Sequence, residues 1–157
     1  MRVHLRAMGR LAGRSEERAL VDDYLARFDQ TGRGLGWRFG GETELEDKKN
    51  GGMAAEAALL RGALPSGTVM VCLDERGSLL SSPDFSKKLQ IWADQGRSDI
   101  TFVIGGADGI DPSLRGEADF LLSFGKMVWP HKLVRVMLAE QLYRAASIAA
   151  GGPYHRV

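Results

Sequence analysis

A chain of 157 residues, 44% apolar and 26% charged with a formal net charge of +1, has the make-up of one soluble globular domain, not of a disordered segment. The composition excludes a membrane helix, because no apolar run nears the roughly 20 residues one needs. It also excludes a disulfide scaffold or cysteine metal cluster, because Cys72 is the only cysteine. The opening "MRVHLRAMGR" lacks the apolar core of a secretory signal, so the expectation is a single domain, residues 1–157, in the cytoplasm.

Taken in chain order, "VHLRAM" alternates as a first strand. "SEERALVDDYLARF" has helical spacing, with Ser15 at its cap, Glu16 and Glu17 at its positive end, and Leu20, Val21, Tyr24, Leu25 and Phe28 on one face. "TGRGLG" breaks the pattern as a flexible turn, and "WRF" starts a short second strand. "MAAEAALLRGAL" is a helix of strong formers stopped near Pro65 and Gly67. "TVMVCLD" is a continuous apolar run suited to a parallel strand buried on both faces, which makes Cys72 a buried small hydrophobe.

"SSPDFSKKLQIWADQG" predicts a helix with Ser82 at the N-cap, Pro83 at the first helical position, and Phe85, Leu89 and Trp92 inward. "DITFVIGG" and "ADFLLSF" read as two more strands. "HKLVRVMLAEQLYRAASIAA" is a long helix ended by Gly151, with Leu133, Val134, Met137, Leu138, Leu142, Ala145 and Ile148 as its apolar stripe. Strands alternating with helices predict an α/β domain with a mainly parallel sheet.

Ligands in such sheets bind beyond the carboxyl ends of the strands. That singles out "LDERG", "IGGADG" and "FGKMVWP". The second fails the dinucleotide fingerprint because Ala107 stands where a glycine is needed, and no phosphate-binding G-K-[ST] occurs. Gly105, Gly106 and Gly109 offer either tight turns or close backbone approach to a ligand. Asp74 is either a ligand acceptor or a turn cap. Met127, Val128 and Trp129, apolar residues between Gly125 and Pro130, pack either on the core or on the flat face of a base.

Charge is unevenly spread. Residues 1–20 hold five arginines against Glu16 and Glu17, net +3. The side chains of 123–157 carry Lys126, Lys132, Arg135, Arg144 and Arg156 against Glu140, net +4. "ETELED" (42–47) is acidic. Basic faces attract phosphate backbones, although scattered solvated charges give the same count. Glu140 and Arg144 form an ordinary pair four residues apart. The three histidines, His4, His131 and His155, have no metal-ligand spacing.

The set "LDERG … SSPDFSKKL … FVIGGADGI … PHKLVRVMLAEQLYRA", closed by "GGPYHR", resembles the bacterial ribosomal RNA large-subunit methyltransferases of the SPOUT superfamily, which methylate a 23S rRNA pseudouridine at ring N3. The resemblance covers nearly the whole chain and is most specific in its last third. It implies an α/β fold with a mainly parallel sheet flanked by helices and a C-terminal deep trefoil knot. It implies a homodimer that binds S-adenosylmethionine, requires no metal, and acts on 23S rRNA within the ribosome. By position the cofactor site comprises Leu73, Asp74, Gly105, Gly106 and the loop Gly125, Lys126, Met127, Val128, Trp129 and Pro130. Catalytic candidates are His131 and the tail residues Tyr154, His155 and Arg156, which the resemblance brings to the partner's cofactor. Arg135, Arg144 and the same tail residues are candidates for substrate contact. The competing readings are a non-enzymatic ribosome-binding or assembly protein of the same fold, and a methyltransferase for another RNA such as tRNA.

Overall fold

The computed structural model describes residues 1–156. Five strands, β1 (Arg2–Met8), β2 (Arg38–Leu45), β3 (Val69–Leu79), β4 (Asp99–Ile104) and β5 (Phe120–Ser123), form one sheet in the order β2-β1-β4-β3-β5. Every neighbouring pair is parallel. The helices are α1 (Glu16–Gly32), α2 (Gly52–Arg61), α3 (Ser82–Asp94), α4 (Pro112–Glu117) and α5 (His131–Ala149).

Alternation along the strands divides the core in two. Val3, Leu5, Val71, Ile100 and Phe102 face α1, α3 and α5, where they meet Val21, Phe28, Leu89, Leu138 and Leu142. Met8, Met70, Cys72 and Val103 face the other way, toward Ala57 and Leu60 of α2 and Leu114 of α4. Each large apolar side chain fully buried this way contributes about 1.5–3 kcal/mol. β4, in the middle of the sheet, is buried at every residue, its two polar members Asp99 and Thr101 included; strands covered on both faces are buried in this way. Cys72 is fully buried, and that burial pushes its thiol up to about 12, so it is inert as a nucleophile.

Several boundaries differ from the sequence reading. The N-cap of α3 is Ser81, not Ser82; the Ser81 hydroxyl accepts the Asp84 N–H at 3.1 Å. Two adjacent serines compete for the cap, and the one three residues before an available N–H wins. α1 continues through Gly32 into a short 3-10 turn at Arg33–Leu35, so "TGRGLG" is mostly helical. β2 is eight residues long and takes up most of the acidic stretch. It is tolerated there because its carboxylates are paired, as shown below. α4 carried no sequence prediction: six residues leave too short a periodicity. Leu20 and Leu133, assigned to apolar stripes, are exposed at 45% and 43%.

Candidate active site

The carboxyl ends of β4 and β5 and the middle of β3, at residues 73–76, converge on a cleft of about 300 Å³. Of the expected cofactor positions, Leu73, Asp74, Gly105, Gly106, Gly125, Met127, Val128 and Trp129 line it, together with His131; Lys126 and Pro130 do not. Each wall has a local cause. "LDERG" does not end β3 as a loop would. Leu73 and Ser78 both stand opposite Leu122, so residues 74–77 bulge out of the strand toward the cleft. The Asp74 side chain is 3% exposed and turns back on its own segment, accepting the Arg76 N–H at 2.8 Å, with Arg115 Nη1 at 3.5 Å. Asp74 is therefore the turn cap of the bulge.

After β4 the chain doubles back within five residues. The Gly109 N–H donates to Gly106 O at 3.0 Å, and a Cβ on Gly105 would lie 2.7 Å from Gly109 O. Only glycine fits that close approach. At the third wall the Gly125 N–H donates to Ser123 Oγ at 3.1 Å and Ser123 Oγ donates to Gly125 O at 2.9 Å, which fixes where the loop leaves β5. The sequence reading missed Ser123, for which its position just before the loop was the only signal. Met127 and Val128 are 73% and 77% exposed. Neither is packed into the core.

His131 opens α5 at the edge of this cleft, with its Nε2 over Gly9: a Cβ there would come within 3.3 Å. Burial, then the charges of Arg135 and Lys132, hold its pKa below the usual 6.5, so the ring is neutral at pH 7. A second, larger groove of about 470 Å³ shares Leu122, Phe124 and Gly125 with the cleft and runs between α1 and α5, past Leu20, Tyr24, Met137 and Glu140. It lacks the converging glycine backbone, and size alone does not make it the reaction site.

Arg135, expected to touch substrate, is fully buried. Its Nη1 donates to Glu42 Oε2 at 2.9 Å and Glu44 Oε2 at 2.6 Å; its Nη2 donates to Gly9 O at 2.9 Å. Arg18 joins from α1, bonding Glu42 at 2.6 Å and Glu44 at 2.9 Å. The acidic strand thus exists to hold two internal arginines. The basic N-terminal face is reduced in the same way. Arg2 pairs with Asp99, and Arg6 donates to the carbonyls of Leu59 and Leu60. Arg10 and Arg14 stay exposed.

At the far end of α5, Gly151 (φ +73°) closes the helix: its N–H donates to Ile148 O at 3.1 Å and the Gly152 N–H to Ser147 O at 2.8 Å. The tail then folds along its own helix. Tyr154 Oη donates to Glu140 Oε1 at 2.9 Å, and its ring lies 4.4 Å from that of Tyr143 and 4.7 Å from the Arg144 guanidinium. Arg144 Nε donates to the same Glu140 oxygen at 3.0 Å, and its Nη1 is 3.3 Å from His155 Nδ1. Arg156 is exposed. None of these three tail residues lines the cleft.

A family described as "Predicted SPOUT methyltransferase" matches residues 1–155. Among curated proteins, the ribosomal RNA large subunit methyltransferase H of Ruegeria pomeroyi is 66% identical over 157 residues, covering the whole of both chains. That of Roseobacter denitrificans is 64% identical over 99% of each. Among solved structures, the SpoU methyltransferase AviRb of Streptomyces viridochromogenes, in complex with AdoMet, aligns with 96% of this chain and 58% of its own at 12% identity, a loose likeness with a TM-score of 0.43. From end to end, the chain belongs to the SPOUT methyltransferase family.

Proposed function

We propose that this protein is an S-adenosylmethionine-dependent methyltransferase of large-subunit ribosomal RNA, with ring N3 of a 23S rRNA pseudouridine as its target and the assembled ribosome as its substrate. The observation that carries this reading is the convergence of two strand ends and the β3 bulge on one cleft, in a chain of this family. The chemistry of the walls suits the cofactor. Glycine backbone at 105–106 and 125 offers N–H and C=O groups to an adenine edge, and Met127 and Val128 offer apolar faces to its ring. When bound, the cofactor supplies an electrophilic methyl on a sulfonium.

Methylation at ring N3 would require the residues around the cleft to hold that nitrogen in line with the cofactor's methyl group and to offer an acceptor for the proton that N3 loses. Alignment of nitrogen and methyl supplies much of the rate. His131, neutral and beside the cleft, can take a proton near neutral pH. Tyr154, His155 and Arg156 handle the nucleotide by stacking, hydrogen bonding and phosphate pairing. Because those residues lie away from their own cleft, a complete site draws its tail from a second copy; the homodimer and the trefoil-knotted path of the cofactor loops belong to the same reading. Arg144 is the remaining helix cation that serves the substrate, through the tail.

Calorimetric titration with S-adenosylhomocysteine tests the pocket. Binding is expected, and Gly105→Ala, which drives a Cβ into Gly109 O, weakens it by at least about tenfold, or 1.4 kcal/mol. Mass spectrometry of 23S rRNA from cells with and without the gene tests the reaction. A pseudouridine methyl present in both would overturn the proposal.

A further inference from the structure

His155 meets a partner that can only donate. A guanidinium has five N–H groups and no acceptor. The 3.3 Å contact between Arg144 Nη1 and His155 Nδ1 is a hydrogen bond only if Nδ1 presents its lone pair, and in a neutral imidazole the single proton is then on Nε2. Arg144 is not free to swing away. Glu140 Oε1 holds it and Tyr154 together. The other Glu140 oxygen accepts from Gln141 Nε2 at 2.9 Å, and Gln141 Oε1 accepts from Ser82 Oγ at 2.8 Å. The Tyr154 ring closes the cluster between Tyr143 and the guanidinium.

We infer that Arg144 fixes the ring form of His155, so that His155 presents an Nε2–H donor to the nucleotide and is not the base of the reaction. This rests on the proposed function. A uracil-type ring has a carbonyl on each side of N3. As N3 loses its proton, negative charge spreads onto both oxygens, and a donor placed on one of them is worth more in the transition state than before it. The proton leaves N3 for another acceptor; His155 makes and breaks no covalent bond. Glu140 is a positioning residue that acts through Arg144 and Tyr154.

Two arms test this. The first needs no substrate: long-range ¹H–¹⁵N correlation spectra of the full-length protein at neutral pH report which ring nitrogen of His155 is protonated. A pyridine-type signal at Nδ1 and a pyrrole-type signal at Nε2 are expected, with the Nδ1 signal moving in Arg144→Met as its bond is lost; a proton on Nδ1 overturns the inference. The second is methyl transfer to ribosomes by His155→Gln and His155→Ala. Glutamine places an amide N–H near the position of Nε2 but cannot act as a base. The alanine variant should lose on the order of 10²-fold in kcat, the glutamine variant no more than about tenfold, with the wild-type pH profile retained. Equal loss in both, with a vanished acidic limb in the pH profile, would make His155 the base. Wild-type protein that binds no S-adenosylhomocysteine and methylates nothing would overturn the proposed function instead, and the spectra would still decide the ring form.

Discussion

The two ends of α5 use an arginine in different ways. Arg135, in the second turn, is fully buried and shared between two carboxylates and a backbone carbonyl. Arg144, nearer the other end, keeps 24% of its side chain exposed and binds one carboxylate, one ring face and one imidazole. At about 100° per residue, nine residues put the two on opposite sides of the helix. One side faces the sheet, where a cation must be neutralised. The other faces α1 and the tail, where it can meet a ligand. Charge in a sequence therefore says little about charge on a surface until the helix face is known.

The strongest test of this contrast removes the outer end alone. Deleting residues 154–157 should abolish methyl transfer while leaving the unfolding midpoint and S-adenosylhomocysteine affinity close to wild type. Full activity in the truncated protein would mean that the tail only ends the chain. Next come the arginines themselves. Arg135→Met removes the fully buried cation from the half-buried Glu42 and Glu44, and should cost about 3 kcal/mol in chemical denaturation, the low end for a broken buried pair because Arg18 remains to hold both carboxylates. Arg144→Met should cost less than about 1 kcal/mol, as a partly solvated pair does, yet it should impair methyl transfer. Similar losses of stability at both positions would erase the distinction.

A smaller effect should appear in acid. Burial alone would raise the Glu44 carboxyl; the Leu11 N–H, Arg135 and Arg18 outweigh it, so its pKa lies below the ordinary 4.5. A carboxyl depressed on folding adds stability above its unfolded pKa and loses it as pH falls through the folded one. Wild-type protein should thus lose stability as pH drops below about 4.5, and Glu44→Gln should show a shallower fall over that range, read from denaturation midpoints at successive pH values. The smallest signal is at His131, whose ring-proton NMR titration should have its midpoint below 6.5. A midpoint above that value would mean that the ring is not held between burial and the Arg135 charge.

The periodic parts of the fold were legible in the sequence. The apolar run 69–73 of β3 and the stripe of α5 each bury enough surface to specify one element. The three strand-end loops could be found as well, because a parallel sheet leaves its ligand edge at known places. What could not be read was long-range pairing. Nothing near Glu42 or Glu44 in sequence announces Arg135, some ninety residues away, so an acidic strand and a basic helix looked like two solvated patches. Ser81 and Ser82 were equally good caps by composition. The Arg144–His155 contact depends on how Gly151 turns the chain, which no local pattern encodes.

That turn at Gly151 and Gly152 has a bearing on engineering. The direction in which the tail leaves α5 is set by two main-chain hydrogen bonds, to Ile148 O and Ser147 O. No side chain of residues 154–156 takes part in those bonds. Beyond that exit the aim belongs to side chains: Tyr154 is held by Glu140 and Tyr143, and His155 by Arg144, whereas Arg156 is exposed. Position 156 is therefore the one of the three that can be varied without loosening the tail, whereas changes at 154 or 155 alter the aim together with the group offered.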